Sequence, residues 1–179
     1  MSIAQAVQIT LLAVSSVLWN VRAEVTNDAA FLRQAVQHGL AEVAASKMAL
    51  VKSRSPAVKA FADAVLADHA RLHEQLQTLA AEANVELPAG LTLRQKLQLR
   101  VLRDGSDEKF DQRFADAFGV KAYGRTIRLF EAAAADAKDP DVQAFAESSL
   151  PLLRERLEAA KDLARSDDAN GGMLGWISR

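Results

Sequence analysis

The chain contains no cysteine, which excludes disulfides, thiol nucleophiles, iron–sulfur clusters and thiolate zinc sites. Helix-breaking residues are scarce, with eight glycines and four prolines in 179 residues. Net charge is also lacking. The 22 Lys and Arg nearly cancel the 23 Asp and Glu, leaving −1. That removes the basic footprint of a nucleic-acid binder and the polyanion profile of a disordered tail. There is no glycine-rich phosphate loop, nucleophile elbow or Cys/His pair. What the chain does have is apolar bulk. Half of it is hydrophobic and roughly a fifth is alanine, enough for one helical domain with an appendage and no covalent staples.

The appendage is the N-terminus. An apolar stretch from Ile9 to Trp19 is followed by Val21-Arg22-Ala23, whose small first and last residues suit signal peptidase. Residues 1–23 are therefore expected to be a signal peptide cut before Glu24. Two other readings stay open. Ile3 to Val21 is long enough for an uncleaved anchor, which would tie the protein to a membrane through this segment. It also suits an ordinary apolar helix. The bundle proper is expected over 24–166, followed by a flexible C-terminal tail at 167–179 that holds two adjacent glycines and no periodicity.

The body reads as helices throughout, with no strand alternation. Asp28 to Ser53 repeats apolar residues at helical spacing, with Asn27 or Asp28 as cap. Ser55-Pro56 opens a second helix, in which Val58, Phe61, Val65, His69, Leu72 and Leu76 form a seam. After the break at Val85 to Gly90 comes a short helix, Thr92 to Arg103. Ser106 then caps a helix from Asp107 to Asp136, and Asp139-Pro140 opens a last one reaching about Arg165. Two irregularities are expected. The stripe Phe110, Phe114, Phe118 falls out of phase with Tyr123, Ile127, Phe130 at Gly119, which predicts a π-bulge or kink. Pro151 predicts a kink near Ser148–Leu152. Pro56 to Ala62 (PAVKAFA) echoes Pro140 to Ala146 (PDVQAFA), each opening a helix after a long one. Together these predict an all-α fold: an antiparallel four-helix bundle of ferritin-like plan, with a short extra crossover helix and an N-terminal apolar leader helix.

Chemistry would have to centre on a few polar residues. His69 and His73 stand four apart and project from one side of a helix, which is metal-ligand spacing. With Glu42 they form the candidate site, a single loose divalent metal set, Glu42, His69 and His73. Di-iron bundles use two Glu-x-x-His pairs, and here none occurs. The plainer reading pairs Glu42 with His69 or Arg156, with the small residues Ala35, Gly39, Ser46 and Ala49 admitting a neighbouring helix. On that reading His69 is buried, and His69→Leu costs little if its partner can rehydrate. His38 is expected to face solvent, and Tyr123 to be a packed ring.

The run Gly39-Leu40-Ala41-Glu42-Val43, then Ser55-Pro56-Ala57-Val58-Lys59-Ala60-Phe61-Ala62, Ala67-Asp68-His69, Phe110-Asp111, Leu129-Phe130-Glu131 and Leu150-Pro151-Leu152-Leu153 resembles the bacterial exported ferritin-like domain-of-unknown-function family 4142. The resemblance spans about Asp28 to Ala164. It implies a ferritin-like fold and a periplasmic or cell-envelope location, without an established activity. It also implies histidines on the second, third and last helices. His69 matches the first, while Tyr123 and Arg156 stand where the others are usual, so a metal role carries over to Glu42 and His69 alone.

The expected function is thus a non-enzymatic, exported protein that acts by binding, as an envelope stress protein or a small accessory subunit of a periplasmic or membrane-associated complex. Its partner would be a protein or a larger envelope complex, not nucleic acid, and no catalytic residue or cofactor is expected beyond a weakly bound divalent metal. The alternative is a metal-binding ferritin-like protein or oxidase using Glu42, His69 and His73.

Overall fold

The structure, a computed structural model, describes residues 3–106 and 109–174, with side chains described over 28–106 and 109–166. It is helical, and no strand occurs among the described residues. Helix α1 spans Ile3–Lys52, α2 Pro56–Glu82 and α3 Leu93–Asp104. Then α4 (Phe110–Phe114), a π-helical segment (Ala115–Val120) and α5 (Lys121–Asp136) follow without a break, and α6 runs Pro140–Leu174. Helix α1 packs chiefly on α2, and α5 on α6. The two pairs meet through α1 with α5 and α2 with α6, and α3 lies against α1 and α4. The side chains of the leader and tail fall outside the described residues. Among the described residues no helix is long and apolar enough to cross a membrane.

The repeated opening is realised at both places. Ser55 caps α2 by accepting from the Val58 amide, and Asp139 caps α6 by accepting from the Asp141 and Val142 amides. Each is followed by a proline whose missing N–H costs nothing in the first turn. One turn on, Val58 and Val142, Phe61 and Phe145, and Ala62 and Ala146 are all buried. Phe61 meets Phe114 and Tyr123 edge-on, while Phe145 lies 6.4 Å from Phe31 and 5.7 Å from Phe130. The echo in sequence is therefore one packing solution used twice, an aromatic residue from a helix start set against two rings of neighbouring helices.

Other ends differ from expectation. Helix α1 runs through Asn27 and Asp28, so neither caps it. Asp28 is buried and instead accepts from the backbone amides of Lys138 at 3.2 Å and Asp139 at 2.8 Å. It thus ties α1 to the α5–α6 loop. The third long helix begins at Phe110, three residues late, and Ser106 accepts the Lys109 amide through its carbonyl. Helix α2 ends with Asn84 at φ 53°, the Asn84 amide bonding Ala81 and the Val85 amide bonding Ala80, which satisfies the last carbonyls. Thr92 and Gln95 form a capping box for α3, and the Gln95 amide also donates to the Gln37 carbonyl of α1.

The phase change at Gly119 is a π-turn over Ala115–Val120, in which the Lys121 amide bonds Asp116 five residues back. The extra residue lets Phe118 and Tyr123, five apart, both face the core. Helix α6 continues through Pro151. The proline deprives the Glu147 carbonyl of its donor, but both residues are exposed, so water can serve it. The buried Ser149 hydroxyl donates to Phe145 at 2.7 Å one turn earlier.

Candidate functional site

Polar groups from four helices meet in the middle of this apolar bundle. Helix α1 brings His38 and Glu42, one turn apart, and α2 brings Asp68 and His69. Helix α5 contributes Tyr123 and Thr126, and α6 Arg156. The small residues of α1 make this approach possible. Ala35, Ser46 and Ala49 are buried, and a Cβ on Gly39 would stand 3.0 Å from His69 Nδ1. Glycine at 39 is the space the imidazole occupies.

Glu42 is 2 % exposed. Its Oε2 accepts from His69 Nε2 at 2.7 Å and its Oε1 from the Thr126 hydroxyl at 3.1 Å. His38 Nδ1 is 3.1 Å from that same hydroxyl oxygen. A hydroxyl has one proton, so with it given to Glu42 the His38 ring must donate from Nδ1. Desolvation by burial pulls the His38 pKa down, Glu42 opposes this, and Arg125 adds to it. His38 is thus half-buried and bonded inward, not solvent-facing as its place in the sequence suggested. Thr126, the hinge of this chain of hydrogen bonds, carried no sequence signal of its own. A lone Thr on a helix reads as a surface residue.

A second, separate set lies alongside. Asp68 accepts from Arg156 Nε at 2.6 Å and from Arg71 at 2.7 Å. Burial opposes the Arg156 charge, but the hydrogen bond and charge of Asp68, with Glu155, outweigh this and raise its pKa. Asp68 therefore sits neutralised by a cation that does not release its proton. Tyr123 is 1 % exposed. Burial drives its pKa far up, and the charges of Glu42 and Asp68 add to the shift against Arg156. The phenol stays protonated.

Of the candidate ligands, the structure brings Glu42 and His69 together. His73 is exposed, though it lines the same cavity of about 350 Å³ between α1 and α2 as His69. Among the described residues no group of three or more His, Asp or Glu is placed to hold a metal ion. What is assembled is a two-ligand pair beside an apolar cavity, and the buried carboxylate of Asp68, next to His69 in the chain, is already held by Arg156.

The model of the family described as Domain of unknown function (DUF4142) matches residues 20–163. The chain belongs to this family. No curated protein and no solved structure matches it. In this DUF4142 chain the positions of Tyr123 and Arg156 are not idle. Both lie within electrostatic reach of Asp68, and Tyr123 also of Glu42. Where the resemblance led one to expect ring nitrogens, this member has a neutral phenol and a permanent cation.

Proposed function

We propose that this protein acts by binding and not by catalysis. It is an exported bundle of ferritin-like four-helix plan, working as an envelope stress protein or a small accessory subunit of a periplasmic or membrane-associated complex. One observation carries this reading. The central carboxylates are already spent on internal partners, Glu42 on His69 and Thr126, and Asp68 on Arg156. A buried acid whose oxygens are engaged in this way supports a fold rather than a reaction. The ferritin-like plan is supported by the two helix pairs, the α3 crossover and the twice-used opening at Pro56 and Pro140. Export is supported by the apolar leader ending in Val21-Arg22-Ala23.

The test is to isolate the native full-length protein from its cells after mild cross-linking and identify what accompanies it by mass spectrometry. The expected result is a protein partner in stoichiometric amount and a mature chain beginning at Glu24. A chain that comes out alone would remove the accessory-subunit reading. Residues before Ala23 on the mature protein would replace cleavage by an anchor.

A second reading has a specific observation in its favour. His69, which holds Glu42, lines one cavity with His73, so Glu42, His69 and His73 could hold one Zn²⁺ or Cu²⁺ loosely. Zinc titration by calorimetry, with and without His73→Ala, decides it. Equal heats in both remove that site.

A further inference from the structure

Helix α3 turns two faces to its surroundings. Gln95, Leu99 and Leu102 face α1 and the core, while Leu93, Leu97 and Val101 are 74 %, 53 % and 70 % exposed. Those three, spaced by four, form one apolar stripe about 12 Å long. Apart from Val51, they are the exposed large hydrophobics of the described residues. They do not lie on a convex surface. They form one wall of a groove of about 640 Å³, within the usual range of small-ligand sites, whose floor is Leu102, Ala117 and Phe118.

The opposite wall is cationic. Arg113, Lys121 and Arg125 line it, and Arg94 stands on the α3 side. None of these four has an ion pair among the described residues. Asp116 is the acid that lines the groove, so cations outnumber acids four to one there. Arg94 and Arg125 also line an adjoining polar cavity of about 280 Å³, with Gln37, His38, Gln95 and Gln98, and with the Glu42 carboxylate, whose two oxygens His69 and Thr126 already engage. An apolar trough that passes into a polar, cation-flanked hollow has the two-part chemistry of an amphiphile. A neutral chain would leave the cations unanswered, and an inorganic anion would leave the stripe exposed.

We propose that this groove binds a single anionic amphiphile, its acyl chain along Leu93, Leu97 and Val101 and its carboxylate or phosphate head at Lys121, Arg125 and Arg94. The concave shape favours one chain over a flat bilayer. The unpaired cations favour an anionic ligand over a second copy, which would bring the same cations to the same place. The site gives the binding reading above a ligand class, and rests on it.

The experiment is calorimetric titration of the full chain with dodecanoate below its micelle concentration. Dodecyl maltoside and acetate serve as the neutral-chain and chainless probes. Dodecanoate is expected to bind one per protein and both controls to bind at least about tenfold more weakly. Lys121→Gln Arg125→Gln and, separately, Leu97→Ser Val101→Ser should each weaken binding about tenfold or more. All four residues are exposed, so circular dichroism should show both variants folded. The proposal is overturned by any of three results. These are no dodecanoate binding, equal binding by both variants, or a dimer that the Leu97→Ser Val101→Ser variant dissociates. It is likewise overturned if anionic phosphatidylglycerol vesicles bind the chain through this face while monomeric dodecanoate does not. A chain that captures its protein partner yet ignores dodecanoate loses this site and keeps the binding reading.

Discussion

Glu42 and His69 meet in the interior at 2.7 Å, and the carboxylate has almost no contact with solvent. This changes what removal of the imidazole should do. A cheap His69→Leu required a partner that could rehydrate, and a carboxylate 2 % exposed cannot. The single variant should cost about 3–5 kcal/mol by urea unfolding, because it strands a buried charge with the Thr126 hydroxyl. His69→Leu with Glu42→Met should regain most of that, since an apolar pair of similar volume carries no desolvation cost. A double variant as unstable as the single one would show that the pair is not the source of the loss.

Tyr123 gives a spectroscopic test, because it is the sole tyrosine in the chain. Its pKa is raised in the fold, first by burial and then by Glu42 and Asp68. A raised value contributes stability that is present below the ordinary tyrosine pKa near 10 and is lost as pH climbs past it. Phenolate absorption should therefore be absent from the folded protein and appear only together with loss of helical circular dichroism. Gradual phenolate formation in a still-helical protein would refute the burial of this ring.

Gly119 lies in the π-turn against α6, where a Cβ would come within 2.8 Å of Ala160 Cβ. Alanine favours helix over glycine by about 1 kcal/mol, so an open site would gain from the exchange. The close approach reverses the sign. Gly119→Ala should destabilise by roughly 1–3 kcal/mol, and Gly119→Ala Ala160→Gly should recover much of it. Gly90→Ala, which meets nothing within 4 Å, is the control and should be neutral or slightly stabilising. A stabilised Gly119→Ala variant would mean that α6 does not press on the π-turn.

The helices, the seam and the π-turn could be read from the sequence because each rests on local periodicity or on caps within four residues. The phase slip between Phe118 and Tyr123 is itself a statement about backbone pitch. The site was legible only where its members sit on strongly patterned faces, as Glu42 and His69 do. Thr126 and the inward turn of His38 depend on which helix lies opposite, a relation between residues 88 apart. The role of Asp28 was missed for the same reason. Its residue type suits an N-cap, while its partners are amides 110 and 111 residues away. The α3 stripe was hidden because a leucine-rich helix reads as core, and only its docking on α1 shows which leucines remain outside.

The polar interior is closed on itself, Glu42 against His69 and Thr126, Asp68 against Arg156, and this closure is what the binding proposal rests on. Elemental analysis of the native protein, purified without added metal or chelator, tests it most directly. Arg156 holds Asp68, and Glu42 with His69 is a two-ligand set, so the expected result is no stoichiometric iron and at most zinc or copper that gel filtration removes. A dinuclear iron centre that persists through purification and vanishes in a folded Glu42→Ala His69→Ala variant would contradict it.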